Sequence, residues 1–582
     1  MGLWDVEEWM GRKPSSASTG SGRSGRPSKV ADIAMFGARI FTADPARPRA
    51  EALAIAGGRI CALGTDAEVR EHCGLSTEVI DGAGRSVIPG VVDAHAHPPM
   101  AGVEMARCDL TGGSTRGDYL ALVGEYAAAN PGLEWLRGGG WSMAAFPGGV
   151  PVASDLDAAV GNRAVFLPNR DHHSAWVSSR ALELAGIDAS TPDPPDGRIE
   201  RDAAGRPTGT LHEGAMTIAE RLLPELTRAD LQEGILAAQA YLHSLGVTSW
   251  QDAWVPLSGD GVASFEAYLD LAASGGLTAR VVAALWWERE RGAEQIVEMV
   301  EARARAAAVG SDRFRATSVK IMQDGVCETF TAAMLTPYLD VHGHETGNCG
   351  LSFVDPEPLK GYVTALDAEG FQVHVHALGD RAVREALDAV EAARAANPKG
   401  ERHHLAHLQV VHPDDLDRFR ALRVTPNFQP LWACAEPQMV DLTMPFLGPE
   451  RSAQQYPIGS LWRRQVPLAF GSDWPVSSPD PLAEMHVAVN RTPSAAERLG
   501  DLAPFFPDER IPLEAALTAF TAGSAYVNHL DGVAGVLDVG MAGDVVVLDR
   551  DLFACAGEGG LEEAKVLLTM VGGKSVYEAA GL

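Results

Sequence analysis

The chain is poor in cations: 48 Lys and Arg stand against 77 Asp and Glu over 582 residues, a formal charge of -29. That balance disfavours nucleic acid as a partner, and an anionic small molecule would need local positive charge. Cysteine is scarce too. The seven residues Cys61, Cys73, Cys108, Cys327, Cys349, Cys434 and Cys555 are odd in number, scattered and without paired spacing. This argues against a disulfide framework and for a reducing compartment, so a cytoplasmic location is expected. No apolar run approaches the roughly 20 residues that cross a bilayer, so no membrane partner is expected. The start, MGLWDVEEWMGRKPSSASTGSGRSGRPSK, lacks the continuous apolar segment of a secretion signal. Its Ser/Gly/Arg-rich part reads as a disordered tail over residues 1–30.

What the chain does have is length, a hydrophobic content of 46% and regular punctuation. Material of this amount makes one large core with an accessory domain. From Ala31 to Ile88 short alternating strands are broken by Gly-rich turns, and the same pattern returns in GVLDVGMAGDVVVLDRD and AKVLLTMVGGKSVYEA. Residues 31–88 and 532–582 are therefore expected to fold together as a small composite β-sandwich. Between them, eight candidate strands alternate with helical stretches, which predicts a (β/α)8, TIM-like barrel over residues 89–531. The strands are VVDAHAH (91–97), GVTSWQDA (246–253), ARVVAALWW (279–287), SVKIMQDG (318–325), FQVHVHALGD (371–380), HHLAHLQVV (403–411), VTPNFQP (424–430) and VPLAFGSDWP (466–475). DLQEGILAAQAYLHSLG and DRAVREALDAVEAARAAN read as two of the connecting helices. Residues 99–245 are far too long for one connection and imply an inserted subdomain at the barrel mouth.

The stretch VIPGVVDAHAHP carries the first chemical signal. His95 and His97 close an apolar strand, and residues two apart on a strand point to the same side, so both imidazoles face one place. The spacing alone is weak, since the chain has 17 His and the same spacing recurs at His342/His344 and His374/His376. Context raises it. Lys320, His376, His407 and Asp473 end the fourth, fifth, sixth and eighth candidate strands, and the carboxyl ends of barrel strands are where this fold keeps its chemistry. Nitrogen and oxygen donors gathered there would make a metal site.

In PGVVDAHAHP, GVTSWQD, VKIMQDG with TAAMLTPY, VHVHALGD, HLAHLQVV, GSDWPV and AGDVVVLD the chain resembles the amidohydrolase superfamily, in the branch that includes N-substituted formamide deformylases. The resemblance runs over nearly all the chain after Ala31. It implies one or two divalent metals, zinc first, and hydrolysis of carbon–nitrogen bonds in a small amide-type substrate. It carries the ligands of the buried metal to His95 and His97, those of a second metal to His376 and His407, and the last-strand aspartate to Asp473. That residue would touch the buried metal and take the proton of the reacting water. His374, His403 and His404 are expected to orient ligands instead. In many relatives a lysine at the end of strand four forms a carbamate that bridges the metals, so Lys320 is a candidate N6-carboxylysine. The alternative is an ordinary lysine paired with Asp324 or contacting substrate. A homodimer is a family-level expectation.

The insertion offers candidate substrate contacts. Trp141 and Phe146 either cover an apolar substrate or pack within the insertion. A segment of the relatives resembling NRDHHSAWVSSRALELAGI places a histidine near the pocket, a role carried here to His173. The chain departs from related sequences at Ser142, where aspartate is common. Trp286, Trp287, Gln429 and Trp432 follow strand ends and are candidates for the mouth, with packing under a loop the alternative for Trp432. Glu213 and Asp252 are polar residues without an assigned role, and His342 and His344 read as surface residues. Deamination, decarboxylation or cyclic-amide hydrolysis on the same ligands, or a barrel that only binds, remain the competing readings.

Overall fold

The computed structural model describes residues 30–257, 264–493, 503–556 and 560–580. The expected N-terminal tail lies almost wholly outside them. Eight parallel strands form one sheet: β1 (Val91–Ala96), β2 (Val247–Val255), β3 (Arg280–Trp286), β4 (Phe314–Met322), β5 (Gln372–Ala377), β6 (His404–His407), β7 (Thr425–Phe428) and β8 (Ala469–Phe470). Their order in the sheet follows their order in the chain, which is the topology of a (β/α)8 barrel. Every residue of β1, β5, β6 and β7 is buried, because such a strand faces the lumen on one side and a helix layer on the other.

Helices cover the barrel as their apolar spacing requires. Helix α1 (Pro98–Met105) follows β1 directly, and α2 (Arg228–Ser244) precedes β2. Thr227 starts α2 with a capping box in which its side chain and that of Asp230 exchange bonds with each other's backbone. The two helices approach so closely that a Cβ on Gly102 would lie 1.9 Å from the Gly234 carbonyl oxygen. The insertion leaves after α1 and returns before α2. Helix α3 (Asp380–Ala396) buries Val383, Leu387 and Val390 at helical spacing.

The eighth strand is much shorter than its sequence pattern. After Phe470 the chain turns from the ladder towards β1: Asp473 N–H donates to the His95 carbonyl (2.7 Å) and His97 N–H to that of Trp474 (2.8 Å). Asp93 holds the junction, accepting from the backbone of His95 and Ser472 and from the Ser472 hydroxyl. Only glycine fits at 471, since a Cβ there would lie 2.4 Å from His95 N. The barrel is closed at this seam by hydrogen bonds to a buried carboxylate instead of a full ladder.

Strands from both ends of the chain share one six-stranded sheet, in which Ser86–Pro89 pairs antiparallel with Val545–Leu548. A four-stranded sheet built from residues 33–81 packs on it through Met35, Leu53, Ile55, Val87, Val545 and Leu568. The buried pair Arg280–Asp544 joins this unit to the barrel. The insertion holds its own six-stranded sheet. Alternate residues of its strand Ala164–Pro168 go to opposite faces: Phe166 joins one apolar cluster, Val165 and Leu167 the other. Among the described residues no helix is long and apolar enough to cross a membrane.

Candidate metal centre

The carboxyl ends of β1, β4, β5, β6 and β8 bring together all six residues expected to ligate. His95 Nε2 and His97 Nε2 stand 3.2 and 2.9 Å from Asp473 Oδ1, and the three residues offer ligand atoms within 4.8 Å of one another. Lys320 Nζ is 3.2 Å from His95 Nε2. His407 Nδ1 lies 3.8 Å from Asp473 Oδ2, and its ring is 4.5 Å from that of His376 and 4.8 Å from that of His95. His407 and Asp473 reach these places through positive φ angles, 76° and 55°. Such a conformation is unfavourable for residues with a Cβ and persists only where the surroundings hold it.

A chain of buried hydrogen bonds sets which nitrogen of His95 carries its proton. Gln251 donates its amide N–H groups to Gln372 and Asn528, which turns its carbonyl oxygen towards the histidines. That oxygen accepts from His374 Nδ1 (2.6 Å) and His404 Nε2 (3.1 Å). His404 Nδ1 in turn accepts from Asn427 (3.2 Å). With its Nδ1 donating, neutral His374 can only accept at Nε2, and it does so from His95 Nδ1 at 2.9 Å. His95 Nε2 is left as a lone pair aimed at Asp473 and Lys320.

Two acceptors, His95 Nε2 and Asp473 Oδ1, thus face each other at 3.2 Å. Only positive charge reconciles them. Asp473 Oδ1 and both ring nitrogens of His407 are buried without a hydrogen-bond partner, as expected of groups whose partner is a cation. Two imidazoles and a carboxylate as nitrogen and oxygen donors suit zinc or another divalent ion of its kind. Electrostatics agrees. Burial holds His95 down to about 3 and keeps His376 and His407 well below the ordinary histidine range, so all three are neutral donors. Burial alone would raise Asp473, but His95, His97 and His407 outweigh it and keep the carboxylate ionised. Burial pulls Lys320 down to about 8 against the opposing pull of Asp473 and Asp252. Asp324, the alternative partner for Lys320, is committed elsewhere: it accepts the backbone N–H groups of Ala333, Leu378 and Gly379.

The insertion delivers a second pair to the same mouth. His173 Nδ1 is 2.9 Å from Glu213 Oε1, and the His173 ring stands 5.8 Å from that of His376. Burial disfavours charge on His173, but Glu213 prevails and lifts it to about 9. Thr331 donates to the same Glu213 oxygen at 2.8 Å. Asp252 accepts from Tyr268 and from Trp254 N–H at the end of β2, and burial raises it to about 6. Trp432 stacks on His407, 5.3 Å away and within 7° of parallel.

The other candidate substrate contacts are buried. Trp141 is fully buried inside the insertion, donating to the Leu167 carbonyl and meeting Phe146 and Trp176 edge-on. The packing alternative therefore holds for Trp141, because a strand-end aromatic next to an apolar sheet face completes that sheet's core. Trp287 is 1% exposed and packs on Tyr362. Gln429 is buried beside Asn427, with its carbonyl oxygen unpartnered. His342 and His344 are exposed. Sequence reading did not find the parts played by Asp93, Gln251 and Gly471. Asp93 shares a strand parity with His95 and His97, and Gly471 opens the GSD turn, so for these two the signal was present but unspecific; for Gln251 there was none.

A parallel barrel whose carboxyl rim gathers neutral imidazoles, a carboxylate and a buried lysine is the architecture of a metal-dependent hydrolase. The chain belongs to the Amidohydrolase family, which it matches over residues 78–577. It is 31% identical over 559 residues to Protein LONG AFTER FAR-RED 3 of Arabidopsis thaliana, covering 94% of this chain and 92% of the relative. Against N-substituted formamide deformylase of Arthrobacter pascens it is 26% identical, covering 95% and 99%. Among solved structures it resembles a metal-dependent hydrolase of Pyrococcus furiosus, with a TM-score of 0.66 and 26% identity over 89% of this chain and 99% of the other.

Proposed function

We propose that this protein hydrolyses a non-peptide carbon–nitrogen bond, in an amide or N-substituted formamide, at a centre held by His95, His97, Asp473 and Lys320, with His376 and His407 holding a second cation. The observation that carries the reading is the pair of opposed acceptors, His95 Nε2 and Asp473 Oδ1, 3.2 Å apart in a buried site. The likeness to the Arthrobacter pascens deformylase supports the choice of bond. Bound zinc would lower the pKa of water towards about 7 and polarise the substrate carbonyl.

The chain's own groups then divide the work. The Asp473 carboxylate accepts the proton of the attacking water and returns it to the departing nitrogen. His173, charged at neutral pH through Glu213, stands on the insertion side of the mouth as a donor to the carbonyl oxygen. Lys320 is poised for carbamylation: with an amine at about 8, its neutral form attacks carbon dioxide, forming the N–C bond and releasing one proton. The resulting anion replaces an ammonium by a ligand.

Protein of measured zinc content should hydrolyse at least one member of a panel of formamides, amides, hydantoins and cyclic ureas. Asp473→Asn should keep a folded barrel and lose about 10²–10⁴ in kcat, the usual worth of a positioned base. A metal-loaded Asp473→Asn protein as active as the wild type would refute the proton assignment, and an inert wild type across the panel would refute the choice of bond.

A further inference from the structure

A cavity of about 430 Å3 begins at His97, His172 and Asp252 and runs between α1 and the insertion. Its walls are largely apolar, including Met100, Phe166, Leu226 and Trp254, and its size lies in the usual range for a small-molecule site. Three arginines line it as well, the half-buried Arg107 and Arg137 and the exposed Arg221. Neither Arg107 nor Arg137 makes an ion pair among the described residues. The Arg107 side chain makes no hydrogen bond there, and Arg137 makes one, to the Pro224 carbonyl at 2.7 Å, leaving its Nε buried without a partner. In a chain of net charge -29, two guanidinium groups sharing one cavity without a carboxylate in contact need a reason.

We propose that this cavity is the substrate's second compartment, and that Arg107 and Arg137 select a substrate whose nitrogen or acyl substituent ends in a carboxylate. The class is thus an N-acylated or N-formylated amino acid with an apolar spacer between the two polar ends. Anion binding in this cavity is independent of the reaction; its part as a substrate compartment rests on the proposed hydrolysis. Like charges held together repel, so each guanidinium gains when an anion enters, and an arginine binds a carboxylate through two parallel N–H donors. Apolar walls between the metal centre and the arginines fit an alkyl or aryl spacer, and they exclude a short, wholly polar substrate.

The acidic groups nearby do not fill the role. Glu104 lines the cavity but is 3.7 Å from His172 Nε2 rather than paired with an arginine, and burial pushes its carboxyl up to about 8. Glu220 and Glu225 also line the cavity; the charge of Arg137 reaches the Glu220 carboxyl and opposes the rise that burial causes, but no ion pair forms between them among the described residues. Asp230 is bound by the Thr227 backbone and hydroxyl in the cap of α2.

Calorimetric titration of metal-stripped full-length protein with hexanoate and with hexanol reads the selectivity without turnover. Hexanoate should bind the wild type about tenfold more tightly or better, the ratio set by one charge-assisted contact. Arg107→Gln and Arg137→Gln should each erase most of that preference, and Arg107→Lys should retain part of it. Equal affinity of the wild type for the two probes overturns the proposal without any variant, and so does an unchanged preference in whichever glutamine variant folds. On zinc-loaded enzyme, N-formyl-ε-aminocaproate should exceed N-hexylformamide in kcat/KM by a similar factor. Hexanoate selectivity without turnover of either compound would leave the anion compartment standing and remove formamide hydrolysis. Turnover of both at equal kcat/KM would remove the carboxylate class and leave the hydrolysis.

Discussion

Replacing Gln251 with leucine tests whether the proposed metal ligand His95 is set by a tautomer chain three residues deep. The Gln251 carbonyl oxygen is the acceptor for two buried N–H groups, from His374 at 2.6 Å and His404 at 3.1 Å. Leucine is of similar volume and fits the space but accepts nothing. A buried donor left without a partner costs about 1–3 kcal/mol, so two cost about 2–6 kcal/mol. That is a large share of a typical folding free energy of about 5–15 kcal/mol. His374 can relieve part of this by moving its proton to Nε2. It then presents a donor to His95 Nδ1, whose own proton must shift to Nε2, and the ligand lone pair is lost from the metal side. Metal affinity should therefore fall about 10–100-fold, the usual effect of losing an outer hydrogen-bond partner. Gln251→Glu is the control for the acceptor: it keeps an oxygen for His374 and His404, and although its other oxygen now faces the Gln372 and Asn528 oxygens and costs stability, the His374 tautomer and the zinc affinity should be kept. Zinc affinity is read by competition with a chromophoric chelator, and stability by urea unfolding of the metal-free protein. A folded Gln251→Leu protein with wild-type zinc affinity would refute the chain, whatever its stability.

Three further outcomes follow from contacts outside the ligands. Gly471→Ala puts a Cβ 2.4 Å from His95 N and 2.8 Å from His95 Cβ, so the seam must open; a loss of about 1–3 kcal/mol with reduced zinc content is expected, and full zinc occupancy at wild-type Tm would contradict it. Asp544→Ala strips the buried Arg280 guanidinium of its partner and should destabilise by about 3–5 kcal/mol in urea unfolding; a change under about 1 kcal/mol would show that water reaches Arg280. Burial raises Glu104 to about 8 from an ordinary value near 4.5, so the folded protein holds a proton that the unfolded chain has released. This contribution to stability is whole below about pH 4.5 and is lost as pH rises through about 8. The Tm of the wild type should fall relative to Glu104→Gln between those limits, and a relative rise would reverse the assignment.

How much of this was legible in the amino-acid sequence depended on the range of the interaction involved. The barrel was readable because each strand announces itself locally as a short run rich in apolar residues, as in FQVHVHALGD. The candidate ligands were readable because they sit at strand ends, where parity and position coincide. Trp141 was ambiguous for the opposite reason. An aromatic in an insertion looks the same whether it faces a pocket or its own sheet, and the register Trp135↔Ala164 that places its neighbours on a sheet face links segments far apart in the chain. For Lys320 the sequence offers Asp324 as an ion-pair partner, and only the fold shows that this carboxylate accepts three backbone N–H groups instead.

The least legible parts are those that depend on a third partner. Nothing near Gln251 says that its carbonyl serves two histidines more than 120 residues away, since GVTSWQDA is an ordinary strand pattern. The arginine pair is harder still: Arg107 follows α1 and Arg137 lies in the insertion sheet, and their convergence needs the close α1–α2 contact at Gly102 and Gly234. If that contact sets the cavity, then Gly234→Ala, whose Cβ would lie 2.9 Å from Val103 Cγ2 and 3.1 Å from the Pro99 carbonyl oxygen, should shift α1 and alter hexanoate affinity at least about threefold while zinc binding by His95, His97 and Asp473 persists. Coupled loss of zinc and hexanoate would mean that the two compartments are one rigid unit instead, and an unaltered affinity for both would detach the cavity's shape from the helix contact.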